Sequence, residues 1–214
     1  MPLYRLLPGI LVLPCILLAC APVPPAAEAP AQPAPVPLPP TLASNPGMPQ
    51  FAPTDLVNEA SALTQRFVGT LLPTLQGAIA VGGPVGAIDV CAVEAPRIAQ
   101  VLSEESGWEV KRVSLKARNS SMATPDGWET QVLNVFDLRQ RSGEPPATLN
   151  VAEVVNGRFR YMQAQPTMPL CLTCHGSNIS PEVSSALARK YPNDKATGYQ
   201  EGQIRGAISL SKQM

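Results

Sequence analysis

Leu56, Ala60, Leu63, Phe67, Leu71, Leu75 and Ile79 recur every three or four residues, the spacing that gathers side chains onto one face of an α-helix. Thr54 or Asp55 is placed to cap its start, and Pro73 within it predicts a kink. Gly82-Gly83-Pro84 breaks the pattern. A second helical face follows through Ile88, Cys91, Ala95, Ile98 and Leu102, with Pro96 expected to bend or split it. After Gly107 the period shortens. Trp108 to Ala117 alternates apolar and polar residues, as a half-buried strand does. Pro125-Asp126-Gly127 opens a helix through Leu133, Phe136 and Leu138. Leu149 to Val155 and Arg158 to Ala164 flank Asn156-Gly157, a strong hairpin signal. A short helix from Pro181 to Lys190 and a strand from Ile204 to Leu210 complete the pattern. Two helices followed by strands and short helices predict an α+β domain around an antiparallel sheet.

Upstream of this domain the pattern is different. Residues 1–19 combine Arg5 with an apolar stretch from Leu6 to Leu18, interrupted by Pro8 and Pro14. A membrane-spanning helix needs roughly 20 apolar residues, so the stretch reads as a signal peptide. It ends in Leu17-Leu18-Ala19-Cys20, which resembles the lipobox of bacterial lipoproteins. That resemblance implies cleavage before Cys20 and its acylation, giving a stable lipid anchor; an ordinary signal peptide is the alternative. Residues 20–50 are rich in Pro and Ala, favouring an extended tether over a packed fold. The expected organisation is signal peptide 1–19, lipidated tether 20–50 and folded domain 51–214, held to a membrane outside the cytoplasm.

Composition narrows the function. The chain carries 16 basic and 16 acidic residues and no long basic run, which excludes a nucleic-acid binder. Aromatic residues make up only 5%, a lean core into which a bulky cofactor would fit. Five cysteines and one histidine remain, and their positions carry the chemistry.

Residues 171–175 read Cys-Leu-Thr-Cys-His. Two thiols at this spacing reach the two vinyl groups of one haem and form thioethers, and the adjacent histidine ligates the iron. The expected cofactor is one covalent haem c, with Cys171 and Cys174 as the attachment points and His175 as the proximal ligand. A redox dithiol, a disulfide, or a zinc site drawing on Cys91 are the competing readings. Attachment of haem c takes place outside the cytoplasm in bacteria, so the export signal and the motif support each other.

His175 is the only histidine, so two histidines from one chain cannot ligate the iron. Cys15 leaves with the signal peptide and Cys20 is the lipidation site, which makes Cys91 an odd thiol on the apolar face of a helix. It is a candidate for the second axial position, where a thiolate lowers the reduction potential. Met162 and Met168 are rival ligands, and a plain buried thiol is the bland alternative.

The domain resembles a family of exported c-type haem proteins with a PAS-like fold, over about residues 54–212. The resemblance rests on Ala87-Ile88-Asp89-Val90-Cys91, Ser114-Leu115-Lys116-Ala117-Arg118-Asn119 with Trp128-Glu129, and Arg160-Tyr161-Met162. It continues through Cys171 to Gly176, Tyr191-Pro192, Ala196-Thr197-Gly198-Tyr199 and Arg205-Gly206-Ala207-Ile208-Ser209. It implies a PAS-like α+β fold with an antiparallel sheet and two N-terminal helices, and His175 with Cys91 as the two axial ligands. Ser120 departs from the family, which usually has proline there. Arg118, Arg160 and Arg205 lie in the resembling segments and are candidates to pair with haem propionates, since Arg binds carboxylates through parallel hydrogen bonds.

Two functions fit. The first is a redox or small-gas sensor that passes its signal to a separate protein, because no kinase, cyclase or helical signalling extension follows the domain. The second is a tethered electron carrier. A peroxidase-like enzyme is the weakest alternative, because no second histidine is present for acid–base work.

Overall fold

The computed structural model describes residues 53–214, so the expected signal peptide, Cys20 and the tether lie outside the described residues. The chain opens with α1 (Thr54–Asp89), a wide turn at Val90–Glu94 and α2 (Ala95–Ser106). Pro53, not Thr54 or Asp55, occupies the cap position, and no side chain caps this start. Pro73 keeps the chain helical. The one residue inside α1 that leaves helical geometry is Gly83, at φ 65°, within the expected break.

The wide turn is π-helical. Pro96 has no N–H, and its ring crowds the carbonyl of the residue four positions earlier. The neighbouring Ala95 N–H reaches back five residues, to Val90 O, so one turn widens and Cys91 falls inside it. Isolated π turns of this kind often mark functional positions.

The sheet is four-stranded and antiparallel, in the order β1-β4-β3-β2. Its strands are β1 (Glu109–Val113), β2 (Asn150–Val155), β3 (Arg158–Pro166) and β4 (Ile204–Gln213). Strand β1 is shorter than the alternation predicts. At Ser114 the backbone N–H turns to Ala123 O (3.0 Å), and Ser114 Oγ donates to Arg205 O (2.6 Å). The β2–β3 turn has Asn156 at φ 51° and Gly157 at φ 75°, the left-handed pair that a tight hairpin requires.

The remaining helices are α3 (Ser120–Ala123), α4 (Gly127–Arg141), α5 (Pro169–His175) and α6 (Pro181–Lys190), with a short 3₁₀ turn at Pro146–Thr148. Helix α4 begins with a capping box. Asp126 Oδ1 accepts from Glu129 N–H, and Asp126 N–H donates to Glu129 Oε2, both at 2.9 Å. The architecture is the expected α+β class, an antiparallel sheet with two helices leading into it.

The two faces of the sheet bury different cores. Leu63, Phe67, Ile98 and Leu102 pack on Trp108, Val110, Phe159, Tyr161, Ile208 and Leu210. By length and composition alone the rod Thr54–Ser106 is apolar enough to cross a membrane, but this inner stripe lies against the sheet. On the other face α4 sets Val132, Leu133 and Phe136 over Val113, Met162, Ala164 and Ala207. A third cluster seats α6 against the end of α1 through Ile88, Val183, Leu187 and Tyr191, with Cys174 at its edge.

The sheet carries one irregularity. Gln165 pairs with Gly206 and Pro166 with Ile204, so Arg205 falls between paired positions. Ile204 and Ala207, three residues apart, both join the core under α4. This bulge turns the Arg205 side chain to the face opposite α4, a use to which β-bulges are often put.

Candidate cofactor site

The Cys-Leu-Thr-Cys-His motif forms α5, a helix the sequence pattern does not signal because it spans only seven residues. Pro169 starts it and Gly176 ends it. A Cβ at Gly176 would stand 2.6 Å from Leu172 O, so the exit from the motif has no room for a side chain. Cys91, Cys171 and Cys174 are all half-buried and unpaired. Among the described residues no group of three or more His, Cys, Asp or Glu side chains converges as a metal-binding set.

His175 is 7% exposed. Its Nδ1 lies 2.7 Å from Ala196 O, which fixes Nδ1 as the protonated nitrogen and leaves Nε2 with a free lone pair. The loop that supplies this carbonyl is itself anchored. Tyr199 N–H donates to His175 O and Gly198 N–H to Gly176 O, both at 2.9 Å. Burial, then the Arg205 and Arg118 guanidiniums, push the imidazole down to about 2, so the ring is neutral over the physiological range. A neutral, oriented imidazole is the form that ligates metals.

Arg118 holds this arrangement together. Its Nε donates to Asp194 Oδ2 at 3.0 Å, and its Nη2 donates to Cys174 O and, at 3.2 Å, to Ala196 O. The ion pair is almost fully buried, with side chains 10% and 11% exposed. One guanidinium thus ties the chain after β1 to the end of α5 and to the carbonyl that orients His175. Burial pushes the Cys174 thiol up, and the nearby Arg118 charge offsets this in part.

Two adjoining cavities, of about 470 Å³ and about 270 Å³, meet at this motif. Cys91, Arg112, Arg118, Gln165, His175, Tyr191 and Arg205 line both. The smaller lobe is apolar and runs under α1 past Leu71, Leu75 and Ile79 to Cys171, Cys174 and Met168. The larger opens beyond β1, past Lys116 and Met122. The structure therefore brings Cys171, Cys174, His175, Cys91, Arg118 and Arg205 to one cavity.

Arg160 is not among them. Side chains alternate along β3, and because Phe159 and Tyr161 face the α1–α2 core, Arg160 faces α4. There it donates to Asp126 Oδ2 at 2.6 Å and lies over the Trp128 ring. The expectation that Arg160 meets a propionate does not hold in this arrangement. Met162 shares that parity, is fully buried under α4, and lines neither lobe. Sequence reasoning missed Arg112 and Gln165. Arg112 lies two residues beyond Val110 on β1, the same parity as the face toward α1 and α2. That spacing was the available signal.

Fold and site together define an α+β domain in which a CxxCH helix and a π-turn cysteine share one split cavity. The chain belongs to the Tll0287-like family, whose model matches residues 40–212. It is similar to the crystal structure of the cyanobacterial heme-protein Tll0287, with 25% identity and a TM-score of 0.56. The match covers 75% of this chain and 94% of that one. No curated protein matches the chain.

Proposed function

We propose that this chain is an extracytoplasmic c-type haem protein, tethered to a membrane through lipidated Cys20, that responds to redox state or to a small gas. Cys171 and Cys174 would hold one haem c through thioethers, and His175 Nε2 and Cys91 Sγ would be the two groups offered to its iron. The observation that carries the reading is the His175 imidazole. Its Nδ1 is committed to Ala196 O, and its Nε2 remains free beside a cavity that Cys91 also lines. Two further features fit the group. Arg205 Nε is buried without a partner, and among the described residues no Asp or Glu lines either lobe, so an anionic edge would be well received. The similar cyanobacterial structure is itself described as a heme-protein.

Bound haem would supply a one-electron iron couple and, with one axial ligand released, a site for a diatomic gas. Cys91 is suited to be the ligand that leaves. As a thiolate it is anionic, and a ferrous ion holds an anion less tightly than a ferric one. With His175 serving as a ligand, no second histidine remains for acid–base catalysis, and the reading is non-enzymatic.

The test begins with protein expressed alongside cytochrome c maturation. A pyridine haemochrome spectrum and an intact mass increased by one haem are expected; a colourless product of unmodified mass ends the reading. Replacing Cys91→Ser should then change the ferric spectrum, and an unchanged spectrum removes Cys91 as ligand. Rapid CO binding by the ferrous protein identifies a sensor, whereas refusal of CO identifies an electron carrier.

A further inference from the structure

Arg112 and Arg205 reach the same cavity from adjacent strands, β1 and β4. Of the other cations that line it, Arg118 is paired with Asp194, Arg97 with Glu94 and Lys111 with Glu129 at 3.1 Å, while Lys116 Nζ donates to Thr197 O and lies over the Tyr199 ring at the outer part of the larger lobe. Arg112 donates from Nε to Gln165 Oε1 at 3.3 Å, a neutral acceptor that leaves its charge uncompensated. Arg205 is turned toward the cavity by the bulge, and its Nε is buried with nothing to bond. Gly206 makes this possible: a Cβ there would stand 2.3 Å from Val113 O, so only glycine lets β4 close on β1 beside Arg205. Burial, and after it the Arg205 guanidinium, pulls Arg112 down to about 10. Two like charges held close in a half-buried cavity are costly unless an anion lies between them.

Building on the haem reading above, we infer that Arg112 and Arg205 form a receptor for the two haem propionates, with Gln165 positioning Arg112. Arg112 in addition tunes the reduction potential through its charge. The thioether cysteines line only the apolar lobe, while the two guanidiniums stand where it meets the larger one. The cavity thus offers an apolar end for the attached edge of the ring and a cationic region for the acidic edge. Planar guanidiniums suit this task because each can grip a carboxylate with two parallel N–H bonds. Loss of a positive charge beside the propionates favours the ferric state.

The experiment uses full-length, haem-matured protein and compares Arg112→Gln, Arg112→Lys and, as a control on α4, Arg139→Gln. Haemochrome and mass measurements come first, so absence of haem would count against the haem reading and not against this receptor. With haem in place, Arg112→Gln should raise the ferric-to-ferrous ratio at fixed ambient potential about tenfold, a shift of about 59 mV for one electron. The propionate bending band in resonance Raman should move with it. Arg112→Lys should recover most of the potential while leaving the Raman band displaced, and Arg139→Gln should change neither. If Arg112→Gln does not mature, the displaced band in Arg112→Lys decides the matter. A potential equal to that of Arg139→Gln, or an unmoved propionate band, would overturn the inference.

Discussion

Glu129, under α4, and Arg205, on the other face of the sheet, are both charged groups drawn out of water, but only Glu129 is fully answered within the chain. Its Oε1 accepts from Ser209 Oγ (2.6 Å) and is ion-paired with Lys111 Nζ (3.1 Å) and Arg160 Nη2 (3.3 Å), while Oε2 accepts from Asp126 N–H (2.9 Å). Arg205 has a buried N–H with no acceptor and a second guanidinium for company. Buried polar groups in stable folds are nearly always satisfied, so a set with spare donors points to a missing partner. One face closes the structure; the other receives something.

That contrast can be broken by substitution. The largest effect should come from Glu129→Ala, which leaves Lys111 without its counter-charge and the Ser209 hydroxyl without its acceptor, and takes one of two carboxylates from Arg160. Removing one member of a buried pair typically costs about 3–5 kcal/mol, readable by urea denaturation. Because Glu129 faces away from the cavity, any haem absorbance that survives should keep the wild-type spectrum; a changed spectrum would mean the two faces are coupled. Gly206→Ala should come next, at about 1–3 kcal/mol, because backbone must move to admit the methyl. Unlike the first, it should also perturb the haem spectrum through Arg205. Asp126→Ala should be the mildest, about 1 kcal/mol for the lost cap. Burial alone would raise the Asp126 carboxyl, but bonds from Arg160 and the Glu129 N–H outweigh it and hold the group below the usual range. Its contribution is therefore present above the ordinary carboxylate value, near pH 4, and lost as pH falls below it. The wild-type protein should lose more stability than the Asp126→Ala variant between about pH 4 and pH 2.

Elements with strong local chemistry were legible from the chain alone. Asn156-Gly157 can scarcely be anything but a tight turn, and Pro125-Asp126-Gly127 opens α4 as expected, although the capping box between Asp126 and Glu129 emerged only in the fold. Likewise α6 has the expected bounds, with Ser180 Oγ accepting from Val183 N–H. The site was legible where covalent chemistry fixes spacing, as in Cys171 to His175. What depends on long-range contacts was not. The early end of β1 is decided by Ser114 meeting Arg205 O, ninety-one residues away. The task of Arg118 depends on Asp194 and Ala196, and the aim of Arg205 depends on a bulge that no local pattern announces. Arg160 was misjudged for a simpler reason, since strand parity beside Phe159 and Tyr161 already turns it away.

The widened turn at Val90–Glu94 has one more effect. In an α-helix each residue advances about 100° around the axis, so a surplus residue rotates everything after it relative to everything before. Ile88 can then be committed to α6 while Ile98 and Leu102 are committed to the sheet, although all three ride on a single rod. The rod changes phase rather than stopping, and its one thiol sits at the point where the phase changes.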